Sequence, residues 1–137
     1  MPSFEFVLKG PPVSLNAMFQ SKASRKRYRN WVHQVNATAR ASWPADVKPV
    51  RSNSVTVTLT CYHTEAPPDV DNILKPICDG MKGVVYEDDK QVWKVTGQRL
   101  DLATTVVDDA SDILIGVLGQ WEEIVHIAAV WDEGDRP

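Results

Sequence analysis

The sequence predicts an α/β domain in which a mixed sheet of about four strands packs in two layers against two to three helices. Three observations support this: segments of alternating apolar residues, intervening segments with apolar residues at helical spacing, and a length of 137 residues. That length suits one hydrophobic core. We therefore expect a single domain over residues 1–137, with elements in the order β-α-β-α-β-α-β.

In the first half of the chain, we expect a strand, a long helix and a second strand. Residues 4–8 alternate, and Gly10-Pro11-Pro12 ends this strand because proline cannot donate to a β-ladder. After a predicted loop, Ser24 is a suitable N-cap for a helix over residues 25–42, whose apolar residues recur at helical spacing. Residues 54–63 (SVTVTLTCYH) alternate again and predict the second strand.

In the second half, a short apolar run predicts a helix over residues 73–82. It starts late in this interpretation because the chain contains Pro76, and proline is comfortable only near a helix start. Residues 91–101 predict a third strand, and residues 111–121 a capped helix with a helical apolar pattern. The nearly continuous apolar run over residues 124–130 (IVHIAAV) predicts the last strand.

Charge is distributed unevenly along the chain. The formal net charge of −3 combines +6 over residues 1–50 with −9 over residues 51–137. A basic half and an acidic half suit a protein that binds phosphates on one surface and metal in a cavity. The alternative is that the charges spread over the folded surface. Overall acidity counts against DNA binding, because DNA-binding domains usually have a high pI.

Several classes of protein are disfavoured by the sequence. No apolar run approaches the 18–20 residues or so of a membrane span. The start, MPSFEFVLKG, lacks the basic and apolar regions of a signal peptide. Cys61 and Cys78 are too few for a disulfide framework or a zinc site. We expect two buried thiols in a cytoplasmic protein.

The stretch PPDVDNILKPICDGMKGVVYEDDKQV, residues 67–92, holds the side chains best suited to chemistry. Two pairs of aspartates, Asp69 with Asp71 and Asp88 with Asp89, flank the predicted helix, which contains Lys75. A short helix that brings two carboxylate groups together is a plausible way to hold Mg²⁺, which prefers oxygen ligands. Pro67-Pro68 would stiffen the approach to Asp69. His63 and Glu65 are weaker candidates for ligands, and an acidic surface turn without metal is the plain alternative.

A basic cluster surrounds the start of the first predicted helix. It consists of Lys22, Arg25, Lys26, Arg27 and Arg29. Cations at a helix N-terminus oppose the helix dipole, so their presence favours a phosphate-binding role. The alternative is an ordinary solvated helix face. In the preceding loop, Asn16 is a candidate for a polar substrate contact, although a turn asparagine is the simpler interpretation.

These residues in this spacing resemble the RusA family of Holliday-junction resolvases. The family pattern is D-x-D-N-x-x-K, an aspartate in a short helix, a glycine, and D-D-x-Q-[VI]. Here the pattern is matched by Asp69, Asp71, Asn72, Lys75, Asp79, Gly83, Asp88, Asp89, Gln91 and Val92. The opening FEFVLKGPPVSLN and the basic helix match as well, so that the resemblance covers roughly residues 4–100.

The resemblance implies a RusA-like fold and a homodimeric endodeoxyribonuclease. Such an enzyme resolves Holliday junctions, four-way DNA branches, by symmetric phosphodiester hydrolysis in DNA recombination and repair. The implied catalytic and metal-binding carboxylates are Asp69, Asp71 and Asp89. Asp88 would be a further metal ligand, and Lys75 would contact the scissile phosphate. The implied cofactor is Mg²⁺, with Mn²⁺ possible, and the nucleophile is water.

Other interpretations remain open from the sequence. One is a nuclease of the same fold that prefers other branched or flap DNA. Another is a catalytically silent DNA- or protein-binding module, which would have no chemical need for the complete carboxylate–lysine set. A phosphohydrolase of small nucleotides would require a glycine-rich phosphate loop, which the sequence does not contain.

Overall fold

A computed structural model describes residues 2–51, 53–65, 69–107 and 110–132. Its elements within these ranges are β1 (Ser3–Lys9), α1 (Ala17–Gln20), α2 (Lys22–Ser42), β2 (Val55–His63), α3 (Val70–Met81), β3 (Val92–Asp101), α4 (Asp112–Ile115) and β4 (Ile124–Trp131). A single 3-10 turn, Asp89–Gln91, precedes β3. The predicted mixed sheet and order of elements are confirmed, with α1 as an additional turn of helix.

The four strands form one sheet in the order β1-β4-β2-β3. The last strand of the chain, β4, is antiparallel to both of its neighbours, whereas β2 and β3 are parallel. Parallel strands need a crossover connection, and α3 supplies it. As a result, α3 runs from the end of β2 back toward the start of β3, and β3 is an edge strand.

Helices α2 and α3 cover one face of the sheet and bury the main core. Its fully buried members come from the helices, the sheet and the turn after α3: Phe6, Trp31, Val35, Leu59, Ile73, Ile77, Tyr86 and Ile127 among others. Since successive strand residues point to opposite faces, Tyr62 leaves this core and joins a smaller cluster with Leu114 and Ile124. The α4 segment therefore covers part of the other face.

The long helix α2 begins earlier than predicted. Ser24 is not its N-cap; the cap is Ser21, whose backbone is extended and whose hydroxyl accepts the Ser24 N–H at 3.0 Å. Two serines at cap-compatible positions made the sequence ambiguous, and the earlier one begins the helix. The segment Ala17–Gln20, predicted as loop, forms α1.

The other two helices also differ from the prediction at their ends. Helix α3 begins at Val70 rather than at residue 73, and Pro76 lies inside it. The regular part of α4 is only Asp112–Ile115, shorter than the predicted helix of residues 111–121. Beyond it the chain continues in turns to Gly119, whose φ of +83° is left-handed and incompatible with an extended α-helix.

Candidate active site and nucleic-acid interface

The start of α3 carries two exposed carboxylates. Asp69 occupies the N-cap position but makes no side-chain capping hydrogen bond, and Asp71 lies in the first turn. Both residues are exposed. The positive end of the helix dipole favours negative charge at this place, so the carboxylates are stable there while their oxygens stay available to a ligand. The predicted stiff approach, Pro67-Pro68, lies outside the described residues.

Two glycines allow α3 to pack closely against both α2 and β3. A Cβ on Gly80 would lie 2.5 Å from a methyl carbon of Val35 in α2. A Cβ on Gly97 in β3 would lie 2.5 Å from a methyl carbon of Val70, at the start of α3. Real Cβ contacts are longer than this, so both positions require glycine. The start of α3, which carries Asp69 and Asp71, is thereby held close to β3.

Pro76 explains how the loop before α1 is attached to this turn. Proline has no N–H and cannot bond the carbonyl four residues earlier in its helix. That carbonyl belongs to Asn72, and it accepts the backbone N–H of Leu15 at 2.7 Å instead. The neighbouring residue is Asn16, which is exposed and makes no side-chain cap bond to α1. The predicted contact residue Asn16 thus lies close to the acidic turn.

The basic cluster lies at the same end of the molecule as Asp69 and Asp71. Strands β1 and β2 end at the same edge of the sheet, because both are antiparallel to β4, and α2 and α3 follow these two strands and start at that edge. Tyr28 lies near Asp79, whose charge adds to the rise that burial causes in the pKa of Tyr28. Further along, the Asn36 amide donates to the Gly80 carbonyl at 2.9 Å. The exposed cations at the start of α2 are Lys22, Arg25, Lys26, Arg27 and Arg29.

Lys75 lies between the acidic groups of α3. Its ammonium group pairs with Asp79, one helical turn further on, at 3.4 Å. The charge and hydrogen bond of Asp79 raise the pKa of Lys75, and the charge of Asp89 adds to this rise. A lysine with a raised pKa stays protonated at neutral pH. Lys75 can therefore supply positive charge to a phosphate, but it cannot act as a general base.

The acidic residues after α3 belong to a hydrogen-bonded turn. Asp88 caps the 3-10 turn and accepts the Lys90 N–H at 3.1 Å. This backbone bond is the main cause that lowers the pKa of the Asp88 carboxyl, followed by its side-chain bond to Asp89. Gln91 accepts the N–H groups of Glu87 and Asp88, both at 3.0 Å. Gln91 thus fixes the backbone of this turn.

Along the chain, the two pairs of aspartates stand before and after most of α3, although Asp89 is close enough for its charge to act on Lys75. The 12 residues of this helix rise about 18 Å at 1.5 Å per residue. Asp69 and Asp71 are at its start, whereas Asp88 and Asp89 follow its end. Within the described ranges, no three His, Cys, Asp or Glu side chains are grouped closely enough to hold a metal ion. The metal-ligand assignment of these four aspartates stays a prediction.

A further residue, Glu123, anchors the loops that lead to the site and was missed in the sequence. One oxygen of its carboxylate accepts the N–H and the hydroxyl of Thr64 and the N–H of Glu65, each at 3.2 Å. Its backbone carbonyl accepts the Gly10 N–H at 2.9 Å. Glu123 thus holds the ends of β1 and β2, from which the chain continues to Asn16 and Asp69. One of two adjacent glutamates before an apolar strand gives no sequence signal for this role.

The two weaker ligand candidates lie beside this anchor. Glu65 is exposed, and its backbone N–H is one of the groups bound by Glu123. His63 ends β2 and is half-buried; its Nδ1 atom is buried and has no hydrogen-bond partner in the described part of the chain. Neither side chain joins a group of potential metal ligands there.

A family of known proteins matches most of the chain. Residues 10–111, well over half of the chain, match the model of a family described as endodeoxyribonuclease RusA. The matched span contains both acidic ends of α3, Lys75 and the basic start of α2, so the class of protein is a DNA endonuclease. The chain belongs to the RusA family of Holliday-junction-resolving endonucleases. No curated protein matches the chain.

No helix in the part of the chain that the structure describes is both long and apolar enough to cross a membrane.

Proposed function

We propose that this protein is a metal-dependent endonuclease that resolves four-way DNA junctions by symmetric hydrolysis, as a homodimer. One observation carries the proposal: the exposed carboxylates of the α3 first turn lie at the same end of the molecule as five exposed cations of α2. The Leu15–Asn72 hydrogen bond ties the intervening loop to that turn. Cations that bind DNA phosphates beside free carboxylates are what a metal-dependent nuclease requires.

The donor set suits Mg²⁺ or Mn²⁺. Mg²⁺ is usually held by one or two carboxylates, with waters and substrate phosphate oxygens completing its six ligands. A cluster of three carboxylates is therefore not needed. Asp69 and Asp71 would hold such an ion, with Asp89 and Asp88 as the remaining candidates. When bound, the metal would supply an activated water and neutralise charge on the leaving oxygen.

The residues of the chain itself have separable tasks in this proposal. The exposed cations of α2 bind the DNA backbone and set its register, since phosphate contacts carry no sequence information. Lys75 supplies a fixed positive charge for the phosphate that is attacked, where charge develops. Asn16 lies on the loop beside the acidic turn and can donate its amide to a neighbouring phosphate or sugar.

A two-fold dimer suits both the substrate and the arrangement of α3. A symmetric dimer presents two equal sites to two opposed strands of a junction. It also offers a way to bring the separated carboxylates together. If two α3 helices lie antiparallel across the two-fold axis, Asp69 and Asp71 of one chain meet Asp88 and Asp89 of the other.

A second candidate is a DNA-binding module of the same fold without catalysis. The observation that favours it is the lack, among the described residues, of a single three-carboxylate group. Cleavage of other branched or flap DNA by the same site is a variant of the main proposal. The reducing cytosol suits both, since Cys61 and Cys78 are free thiols.

The experiment is cleavage of a labelled four-way junction beside a linear duplex and a flap, with Mg²⁺, with Mn²⁺ and with EDTA. Paired nicks at symmetric positions in the junction alone, abolished by EDTA, are the expected result. Equal cutting of the flap would replace junction resolution with a general activity on branched DNA. Tight junction binding without cutting in either metal would favour the silent module.

A further inference from the structure

Trp93 is an exposed aromatic side chain with no structural task in the described protein. It is 80% exposed, whereas the buried Trp31 is 4% exposed. It lies at the start of β3, the edge strand of the sheet. Exposed tryptophans are enriched at binding interfaces, because the indole combines a large apolar face with an N–H donor.

A β-bulge puts Trp93 in this position. In the pairing of β2 with β3, Val55 is opposite Val92 and Thr56 is opposite Lys94, so Trp93 is the extra residue. Bulges turn a side chain away from the regular alternation of a strand and are common next to active sites. The backbone itself thus directs this indole away from the core that Val92 and Val95 contact.

The chemistry around Trp93 fits a polyanion better than a second copy of the chain. Exposed lysines stand on both sides of it, Lys90 and Lys94. The exposed residues of β3 are Trp93, Lys94, Thr96, Gln98 and Arg99, which include two cations and no acidic residue. Lysine on an edge strand discourages pairing with another strand. The same charges attract the phosphates of a nucleic acid.

Trp93 is also close to the acidic residues that follow α3. Only Lys90, Gln91 and Val92 separate it from Asp89 along the chain. Four residues of chain span at most about 14 Å, and nucleotides follow one another about every 3.4 Å along a strand of duplex DNA. A base in contact with Trp93 therefore lies within about four nucleotides of a phosphate held at Asp89.

We propose that Trp93 is a stacking platform for an unstacked base near the branch point of the DNA substrate. This inference rests on the proposed function and adds to it a residue that selects branched DNA. In a continuous duplex every base is stacked on its neighbours and none is free to lie on the indole. At a branch point the stack is interrupted, and an aromatic side chain can take the place of the missing neighbour.

The test compares binding of a labelled four-way junction and of a linear duplex of equal length, in EDTA and at several salt concentrations. Trp93→Ala should weaken junction binding about tenfold and leave duplex binding unchanged. Trp93→Phe keeps an aromatic face and should stay within about threefold of the wild type. Ile115→Ala removes another exposed apolar side chain (57%), in α4 on the other face of the sheet, and serves as the control.

Two further measurements separate stacking from electrostatic contact. Trp93→Ala should leave the salt dependence of junction binding unchanged, whereas Lys94→Ala should reduce its slope by up to about 0.9 for a lost phosphate contact. A 2-aminopurine base placed one to four nucleotides from the nick should be quenched on binding the wild type and less so on binding Trp93→Ala.

Three outcomes would overturn the inference: unchanged junction binding by Trp93→Ala, an equal loss on junction and duplex, or a wild-type dimer that becomes monomeric in Trp93→Ala. The last result would assign the indole to contact between copies. Failure of the proposed function looks different, because the wild type itself would then neither bind nor cut the junction preferentially.

Discussion

The aspartates before and after α3 differ in their exposure and in their hydrogen bonds. At its start, Asp69 and Asp71 are exposed, and Asp69 at the N-cap makes no side-chain capping bond. After its end, Asp88 accepts a backbone N–H, and with Gln91 it forms a reciprocal capping box. A carboxylate that already satisfies a turn is costly to divert to a metal, whereas an unbonded one is free to bind. On this comparison we expect Asp69 and Asp71 to be better placed than Asp88 to bind a metal ion.

The largest expected effect tests the start of α3. Asp71→Asn should reduce junction cleavage at least about a hundredfold, because one ligand of the catalytic metal is lost. Junction binding should persist or tighten, since less negative charge then faces the phosphates. The matched control is Asp112→Asn, which alters an exposed aspartate in the first turn of α4. If Asp71→Asn instead lowers the melting temperature strongly, the aspartate is structural and the comparison fails.

The next effect concerns Asp71 and Asp89, which we expect to act together in one site across the dimer. Asp71→Asn and Asp89→Asn should each be inactive alone. Mixed and refolded together, they form heterodimers in which one composite site has both native aspartates. Activity should then return to about a quarter of the wild-type value, because half of the dimers are mixed and each has one site of two. No recovery would place both aspartates in the site of a single chain.

A smaller effect is expected for the anchor of the loops at the start of α3. Glu123→Gln keeps the shape of the side chain but replaces charge-assisted hydrogen bonds to Thr64 and Glu65 with weaker neutral ones. The cleavage rate at saturating DNA should fall about tenfold, with junction affinity unchanged. Glu122→Gln alters the exposed neighbour and should have no effect. Equal effects of both substitutions would show a general response to lost charge.

The smallest effect concerns the other end of α3. Asp88→Ala removes an N-cap and should lower the thermal midpoint by a few degrees, with cleavage largely retained. Because the pKa of Asp88 is lowered below its ordinary 3.8, its contribution to stability is present above that value and is lost as pH falls through the lowered pKa. Thermal melts from pH 7 to pH 2 should therefore converge for the two proteins. Loss of all cleavage in Asp88→Ala would make Asp88 a metal ligand after all.

The sequence predicted the order of elements and the acidic boundaries of α3 because both depend on local patterns. Alternation in residues 54–63 and the apolar run in residues 73–82 are decided by neighbours a few positions away. It could not predict that Glu123 holds Thr64, or that Leu15 bonds Asn72, since these contacts join residues that are far apart in the chain. The bulge at Trp93 depends on register with β2, which is likewise non-local.

Local patterns also failed where two residues competed for one task. Ser21 and Ser24 are both acceptable N-caps, and only the extended backbone of Ser21 decided between them. Pro76 favoured a late start of α3 in the prediction, because proline has no N–H to donate to the carbonyl four residues earlier in a helix. The structure tolerates it since a partner from outside the helix takes the free carbonyl.

That borrowed hydrogen bond has a consequence for the motions of the protein. Because the Asn72 carbonyl is bonded by Leu15 rather than by its own helix, opening of the first turn of α3 also releases the N–H of Leu15 on the loop before α1. Local unfolding of this turn therefore exposes the Leu15 amide to solvent. The amide proton of Leu15 should exchange more slowly than is usual for a surface loop, because its hydrogen bond must open first.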